Sequence, residues 1–223
     1  MNPYFERDGI AIYHGDCREI LPTLTEPVDL VLTDPPYGIS YATNYTVGGV
    51  GASWLNTVIE NDTSTSARDW VVEWADATPM LVFGTWKQPP PLGTRGVLVW
   101  DKGPAFGMGD LSLPWKPSFE LIYVIGQGFS GHRDEGVLKG FTNVSWESKG
   151  RCHPNEKPVS LLRYLISKTN AETIYDPFGG SGTTMRACMD LGRRGVMIEI
   201  EERYCEIAAN RLSQQVLPLE GIA

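Results

Sequence analysis

The sequence predicts an α/β fold, with a doubly wound, largely parallel sheet and helices on both faces. Three observations carry that reading. Short apolar runs alternate with segments of helical periodicity along the chain. Val28–Thr33 reads as one apolar run, of the kind a strand buried on both faces carries. A Gly-rich turn, Tyr175-Asp176-Pro177-Phe178-Gly179-Gly180-Ser181-Gly182-Thr183-Thr184, follows one such run and opens a helical segment.

In chain order, Ile10–His14 is a short strand and Arg18–Leu24 a helical turn or two. Val28–Thr33 is the buried strand. Residues 38–64, rich in Gly, Ser, Thr and Asn, form a long loop, and a loop of that length is typically a lid or binding loop. Ser66–Ala77 is a helix, with Trp70, Val71 and Trp74 at helical spacing. Met80–Gly84 and Val97–Trp100 are strands, and Pro89-Pro90-Pro91 between them forbids regular structure. Phe119–Ile125 is a further strand, and residues 126–152 are Gly-rich and irregular. Pro158–Lys168 is a helix with Pro in its first turn and Leu161, Leu162, Leu165 and Ile166 on one face. Ile174–Tyr175 belongs to a strand, Thr183–Leu191 to a helix stopped by Gly192, Val196–Ile200 to a strand and Glu202–Leu212 to the last helix. Leu217–Ala223 reads as a frayed tail.

The 223 residues suit one domain with an elaborated loop region, and 42% hydrophobic with 21% charged residues excludes wholesale disorder. No run is long and apolar enough for a membrane span, and the first residues lack a signal peptide's basic flank and apolar core. Cys17, Cys152, Cys188 and Cys205 form no CxxC pair, so they read as reduced thiols in a cytoplasmic protein with no metal site. The net charge of −8 argues against nucleic acid. Its distribution does not, because residues 86–160 carry nine basic against seven acidic side chains while residues 1–85 carry three against twelve. That excess of two could be a DNA-holding patch or noise.

Two motifs carry chemistry. The Gly-rich turn is neither a P-loop nor GxGxxG, so it does not suit a pyrophosphate. About twenty residues on, Glu199 ends the next strand, where an acid in a doubly wound sheet holds ribose hydroxyls. Together they indicate an adenosine-type cofactor, whereas the turn alone could be a structural connection. Asp34-Pro35-Pro36-Tyr37 follows the buried strand at the sheet's carboxyl edge. Its prolines stiffen the turn, so Asp34 and the Pro35 carbonyl are two acceptors in a rigid frame beside the flat Tyr37 ring. That set suits an exocyclic amino group on a planar heterocycle. A tight turn capped by an aromatic is the bland alternative.

Asp-Pro-Pro-Tyr together with Asp-Pro-Phe-x-Gly-Ser-Gly-Thr resembles the amino-methyltransferases of DNA that use S-adenosylmethionine. The order, with Asp34–Tyr37 first, His153-Pro154-Asn155-Glu156-Lys157-Pro158 in the middle and Asp176–Thr184 last, is similar to their beta subgroup. Gly15-Asp16-Cys17, Glu199 and Tyr204 also match, while Asn155 stands where the family commonly has Thr. The resemblance implies a Rossmann-like methyltransferase fold with circularly permuted motif order, as one catalytic domain over 1–223. The lid would be about 38–64, and about 102–150 a reduced DNA-recognition region.

The resemblance also implies roles. Asp176, Phe178, Gly179, Gly180, Ser181 and Thr183 would line the methionine end of S-adenosylmethionine, with Asp34 also on that side. Glu199 would hold the ribose, Asp16 and the Cys17 backbone would meet the adenine ring, and Lys157 would lie near the cofactor carboxylate. Asp34 and Pro35, stiffened by Pro36, would accept hydrogen bonds from the target amino group, and Tyr37 would stack on a base flipped out of double-stranded DNA. Asp at the first motif position is associated in the family with adenine and Ser more with cytosine, which favours adenine N6. A homodimer is compatible with the family. Lys87, Lys102, Lys116, Arg133, Lys139, Lys149 and Arg151 are candidate phosphate contacts. The lid's Tyr41, Asn44, Tyr45 and Trp54 could cover the base or be incidental, and Trp86 and Trp115 could equally be core. The rival readings are cytosine-N4 or RNA methylation, a catalytically silent cofactor-binding protein and a nucleotide-binding oxidoreductase.

Overall fold

The computed structural model describes residues 1–39, 63–103, 112–141 and 156–214. Most of the expected lid (40–62), much of the expected recognition region (104–111 and 142–150), Cys152 to Asn155 and the tail therefore lie outside the described residues.

Nine strands form one sheet: β1 (Phe5–Arg7), β2 (Ile10–His14), β3 (Leu30–Thr33), β4 (Met80–Gly84), β5 (Thr94–Asp101), β6 (Phe119–Ile125), β7 (Val137–Leu138), β8 (Thr173–Asp176) and β9 (Arg194–Glu199). Their order across it is β1-β2-β9-β8-β3-β4-β6-β5-β7. The centre, β2-β9-β8-β3-β4, is parallel throughout. Antiparallel pairs flank it, β1 with β2 on one side and β6 with β4 and β5 on the other. The helices are α1 (Cys17–Ile20), α2 (Ser66–Ala75), α3 (Val159–Ser167), α4 (Thr183–Asp190) and α5 (Glu202–Ser213).

Alternation along the strands divides the interior into two cores. Leu30, Leu32, Leu81, Phe83, Ile174 and Met197 face α3, α4 and α5, together with Leu161, Met185 and Cys205. Val31, Met80, Val82, Tyr175 and Ile198 face α1 and α2, with Ile20 and Val71. Each fully buried Leu or Ile contributes about 1.5–3 kcal/mol. This is the predicted two-faced architecture.

Several details differ from the sequence reading. The hairpin β1–β2 was missed, although Asp8-Gly9 is the residue pair such a turn requires, both at positive φ (49° and 78°). Asp29, inside the Val28–Thr33 run, stays outside β3, where its carboxylate accepts the Glu172 and Thr173 N–H groups. Helix α2 stops at Ala75 because Asp76 turns to φ 46°. Pro158 is the cap of α3 and not its first turn. Gly192 at φ 64° follows α4, as expected. On this side of the sheet β6 runs antiparallel because it returns from β5 and lies between β5 and β4, which are parallel to each other with no helix crossing between them. The Pro89–Pro91 stretch within residues 85–93 instead carries the chain from the carboxyl edge back to the amino edge, and the Arg68 guanidinium donates to the Pro89 carbonyl at 3.1 Å.

Candidate active site

The chain leaves β8 for α4 and then β9 on one side, and leaves β3 for α2 and then β4 on the other. The seam between β8 and β3 is therefore a topological switch point, where open α/β sheets form a crevice at their carboxyl ends. Four of the expected segments meet there because β2, β9, β8 and β3 are neighbours: Gly15-Asp16-Cys17 after β2, Glu199 at the end of β9, Asp176–Gly182 after β8 and Asp34–Tyr37 after β3.

Across the seam, Thr33 Oγ1 donates to Asp176 Oδ1 at 2.7 Å. Asp176 Oδ1 also accepts the Phe178 N–H at 3.2 Å. Burial raises the Asp176 carboxyl to about 6, against the Thr184 and Thr33 hydroxyls and the Phe178 N–H that favour its ionised form. Glu199 receives the Gly180 N–H on one oxygen and the Glu201 N–H on the other, both at 2.8 Å. Burial raises its carboxyl too, with those two N–H groups opposing. Asp16 caps α1 by accepting the Arg18 N–H at 2.9 Å and pairs with the Arg18 guanidinium, whose hydrogen bond holds the carboxyl below its usual range. Cys17 opens α1 with its thiol buried and pushed up to about 12, so its side chain is inert packing.

The glycines of the turn divide into two kinds, where the sequence suggested one. A Cβ on Gly179 would lie 2.5 Å from the Met197 side chain, and one on Gly182 would lie 2.7 Å from the Ala208 Cβ. Those two glycines let the turn lie against β9 and α5. Only Gly180, at φ 50°, opens on free space, with no atom within 4 Å of an added Cβ. Ser181 and Thr183 are buried, and Phe178 joins the core on the α1 and α2 face.

At Asp34 both carboxylate oxygens are engaged. Tyr37 Oη donates to Oδ1 at 2.7 Å and Lys157 Nζ to Oδ2 at 2.5 Å. The tyrosine ring is thus held beside the acceptor. Pro35 is buried, and among the described residues no donor reaches its carbonyl. Lys157 is buried, with Nζ 3.1 Å from Glu120 Oε2 and 5.0 Å from the centre of the Phe83 ring. Burial would lower its ammonium, but Asp34 and Glu120 outweigh that and raise it. Glu120, in β6, also pairs with Lys102 Nζ at 2.7 Å. Burial raises its carboxyl, yet Lys157 and Lys102 bring it below its usual range.

Sequence reasoning missed Glu120, and the signal was a lone carboxylate inside an apolar strand. It also placed Lys102 among the phosphate contacts, where the structure ties it to Glu120. Lys87, Lys116, Arg133 and Lys139 are exposed, and Lys149 and Arg151 lie outside the described residues. Trp86 and Trp115 are not core, at 68% and 79% exposed. A shallow cleft of about 520 Å³ lined by Val28, Pro79, Gly128 and Asn170 lies at the opposite, amino edge of the sheet and holds none of the motif residues.

Residues 114–210 match the family model described as DNA methylase. The type II methyltransferase M2.MboI of Moraxella bovis is 26% identical, with 95% of this chain and 91% of that protein covered. The type II methyltransferase M.HinfI of Haemophilus influenzae is 27% identical, over 92% and 68%. Among solved structures, the M1.HpyAVI–SAM complex has a TM-score of 0.63 at 22% identity, covering 91% of this chain and 99% of that one. The PvuII DNA methyltransferase, described as cytosine-N4-specific, has a TM-score of 0.67 at 16% identity, over 97% and 90%. Among the described residues no helix is long and apolar enough to cross a membrane.

Proposed function

We propose that this chain is a member of the N6/N4 DNA methyltransferase family and methylates the exocyclic N6 of adenine in DNA with S-adenosylmethionine as methyl donor. The observation that carries the reading is the meeting of two chemistries at one seam. An acceptor pair for an amino group adjoins a turn lined with carboxylates, and the Thr33–Asp176 hydrogen bond joins them.

The residues present fit the cofactor. Gly180 leaves a cradle that any Cβ would narrow, and the buried Asp176 and half-buried Glu199 carboxylates are acceptors for an ammonium and for ribose hydroxyls. Asp176, Phe178, Gly180, Ser181 and Thr183 would hold the methionine end, Glu199 the ribose, and Gly15-Asp16-Cys17 the adenine ring. When bound, S-adenosylmethionine supplies a methyl group made electrophilic by its sulfonium.

The chain's own task is to prepare the nitrogen. An aromatic amine is a poor nucleophile because its lone pair is delocalised into the ring. Asp34 and the Pro35 carbonyl accept its two hydrogens and favour a tetrahedral nitrogen with a localised lone pair. The stiff Pro35-Pro36 turn fixes their spacing, which is catalysis by positioning. An amino group inside a duplex is hard to approach in line, so the base leaves the stack, and Tyr37 replaces part of the lost stacking, about 1–3 kcal/mol per base. Asp34 supports adenine over cytosine, following the family's pattern. Lys87 and Lys116, with the exposed Trp86 and Trp115, offer a basic and aromatic rim for the strand. A second copy of the chain would enlarge that footprint.

The test is incubation with unmethylated duplex DNA and S-adenosylmethionine, followed by nucleoside mass spectrometry. N6-methyladenine is expected. N4-methylcytosine would overturn the choice of base, and no methylated base despite bound cofactor would overturn the reading itself.

A further inference from the structure

Four charged side chains alternate in sign from the edge of the sheet to the catalytic motif. Lys102 Nζ lies 2.7 Å from Glu120 Oε1, Glu120 Oε2 lies 3.1 Å from Lys157 Nζ, and Lys157 Nζ lies 2.5 Å from Asp34 Oδ2. The middle of the chain is dry, with the Lys157 side chain 6% exposed and that of Glu120 16%. Removing such charges from water costs more than an apolar pair of equal volume would, so stability alone gives no reason for them. Their placement gives one. Lys157 precedes α3 and Glu120 belongs to β6, and the Lys157 ammonium ties both elements to the Asp34 loop.

We propose that Glu120 is a positioning residue for methyl transfer, acting through Lys157 to fix the Asp34 carboxylate at the orientation in which it accepts the target amino group. The inference rests on the function proposed above. Lys157 is shared between two carboxylates, so it cannot slide along Asp34, and Lys102 holds the far oxygen of Glu120 so that Glu120 cannot turn away. Oδ2 of Asp34 is then anchored from within the protein, and Oδ1, whose partner is the Tyr37 hydroxyl, faces the incoming base. Lys157 stays protonated, held so by the two carboxylates beside it, and keeps its ammonium donated to Asp34. Among the described residues, the titratable and charged groups facing Lys157 include Asp34, Glu120 and Tyr37, whose ring centre is 6.0 Å away, with Lys102 beyond Glu120.

Glu120→Gln keeps the shape and removes the charge. It is expected to lower kcat by about 10–100-fold, the scale of a misplacement of about 1 Å, with KM for S-adenosylmethionine near wild type and a lowered melting temperature, because the buried ammonium loses one of its two carboxylates. With one carboxylate gone, burial weighs more heavily on Lys157, and the variant's kcat should acquire an alkaline limb at lower pH than wild type. Glu120→Gln combined with Lys157→Met removes the buried charge imbalance. It should fold as well as wild type while kcat stays low. A double variant with wild-type kcat would show the chain to be structural only and overturn the proposal. So would a Glu120→Gln enzyme with an unchanged pH profile. NMR titration of lysine labelled at Cε reads Lys157 without turnover: its ammonium should deprotonate at lower pH in Glu120→Gln than in wild type. If that shift appears in a protein that methylates no DNA, the functional reading fails and the charge chain stands. If the shift is absent in an active enzyme, the proposal alone fails.

Discussion

Thr33 and Asp176, 143 residues apart in sequence, are joined by a 2.7 Å hydrogen bond across the seam between β3 and β8. The bond links the residue before the acceptor motif to the first acid of the Gly-rich turn. Thr33→Val keeps the shape and removes the donor. It should cost about 1.5–3 kcal/mol at pH 8, where Asp176 is ionised, and less at pH 5, where it is mostly protonated. Urea unfolding at the two pH values reads the difference.

Asp176 also sets a pH dependence. Its folded value of about 6 lies above the ordinary 3.8, so the fold favours the protonated form. This group's contribution to the stability of the ligand-free protein is therefore full below 3.8 and is lost as pH rises to about 6. Binding of a methionine ammonium runs the other way, because the ionised carboxylate attracts it. S-adenosylmethionine affinity should rise by up to about tenfold per unit between pH 5 and 6 and level off by pH 7. Calorimetry across that range checks this. An equal affinity at pH 5 and 7 would remove Asp176 from the binding site, whereas Asp176→Asn should bind weakly at both.

Asp34→Asn leaves one good acceptor where the carboxylate had two, and it unbalances Lys157. A fall in kcat of about 10²–10³ is expected, the usual scale for removing a preorganised electrostatic contact. The loss in S-adenosylmethionine affinity should be much smaller. Single-turnover kinetics at saturating cofactor separates the two.

The two kinds of glycine can be told apart. Gly182→Ala drives a methyl to 2.7 Å from the Ala208 Cβ at a φ of 76°, and should destabilise the fold by about 2–4 kcal/mol. Gly180→Ala has open space and only its φ of 50° to overcome, about 1 kcal/mol, but would narrow the proposed cofactor cradle. Thermal melts should single out the first variant and cofactor titrations the second.

Lys87 and Lys116 are exposed beside the carboxyl edge, and the turn holding Lys87 is tied to the motif loop by Gln88 Nε2 donating to the Gly38 carbonyl at 2.9 Å. If each contacts one phosphate, alanine at either should lower the salt slope of DNA binding by about 0.9. Fluorescence anisotropy from 50 to 200 mM salt measures it, and an unchanged slope in both variants would move the DNA path elsewhere.

The sequence by itself determined the alternation of strands and helices, the two-faced sheet and both motifs. It could do so because hydrophobic period, Gly–Pro punctuation and the place of an acid at a strand end are local properties. Val31 and Leu32 fall into opposite cores through the two-residue period alone. The tertiary structure decided the rest. Which strands are neighbours is a long-range choice, and it brought Thr33 to Asp176, gave Gly179 and Gly182 a packing role, and turned β6 antiparallel. It also took Lys102 from the surface, and joined it and Lys157 to Glu120. A buried charge finds its partner by fold and not by spacing, because the cost of leaving it unpaired is felt only once the surrounding elements have closed around it.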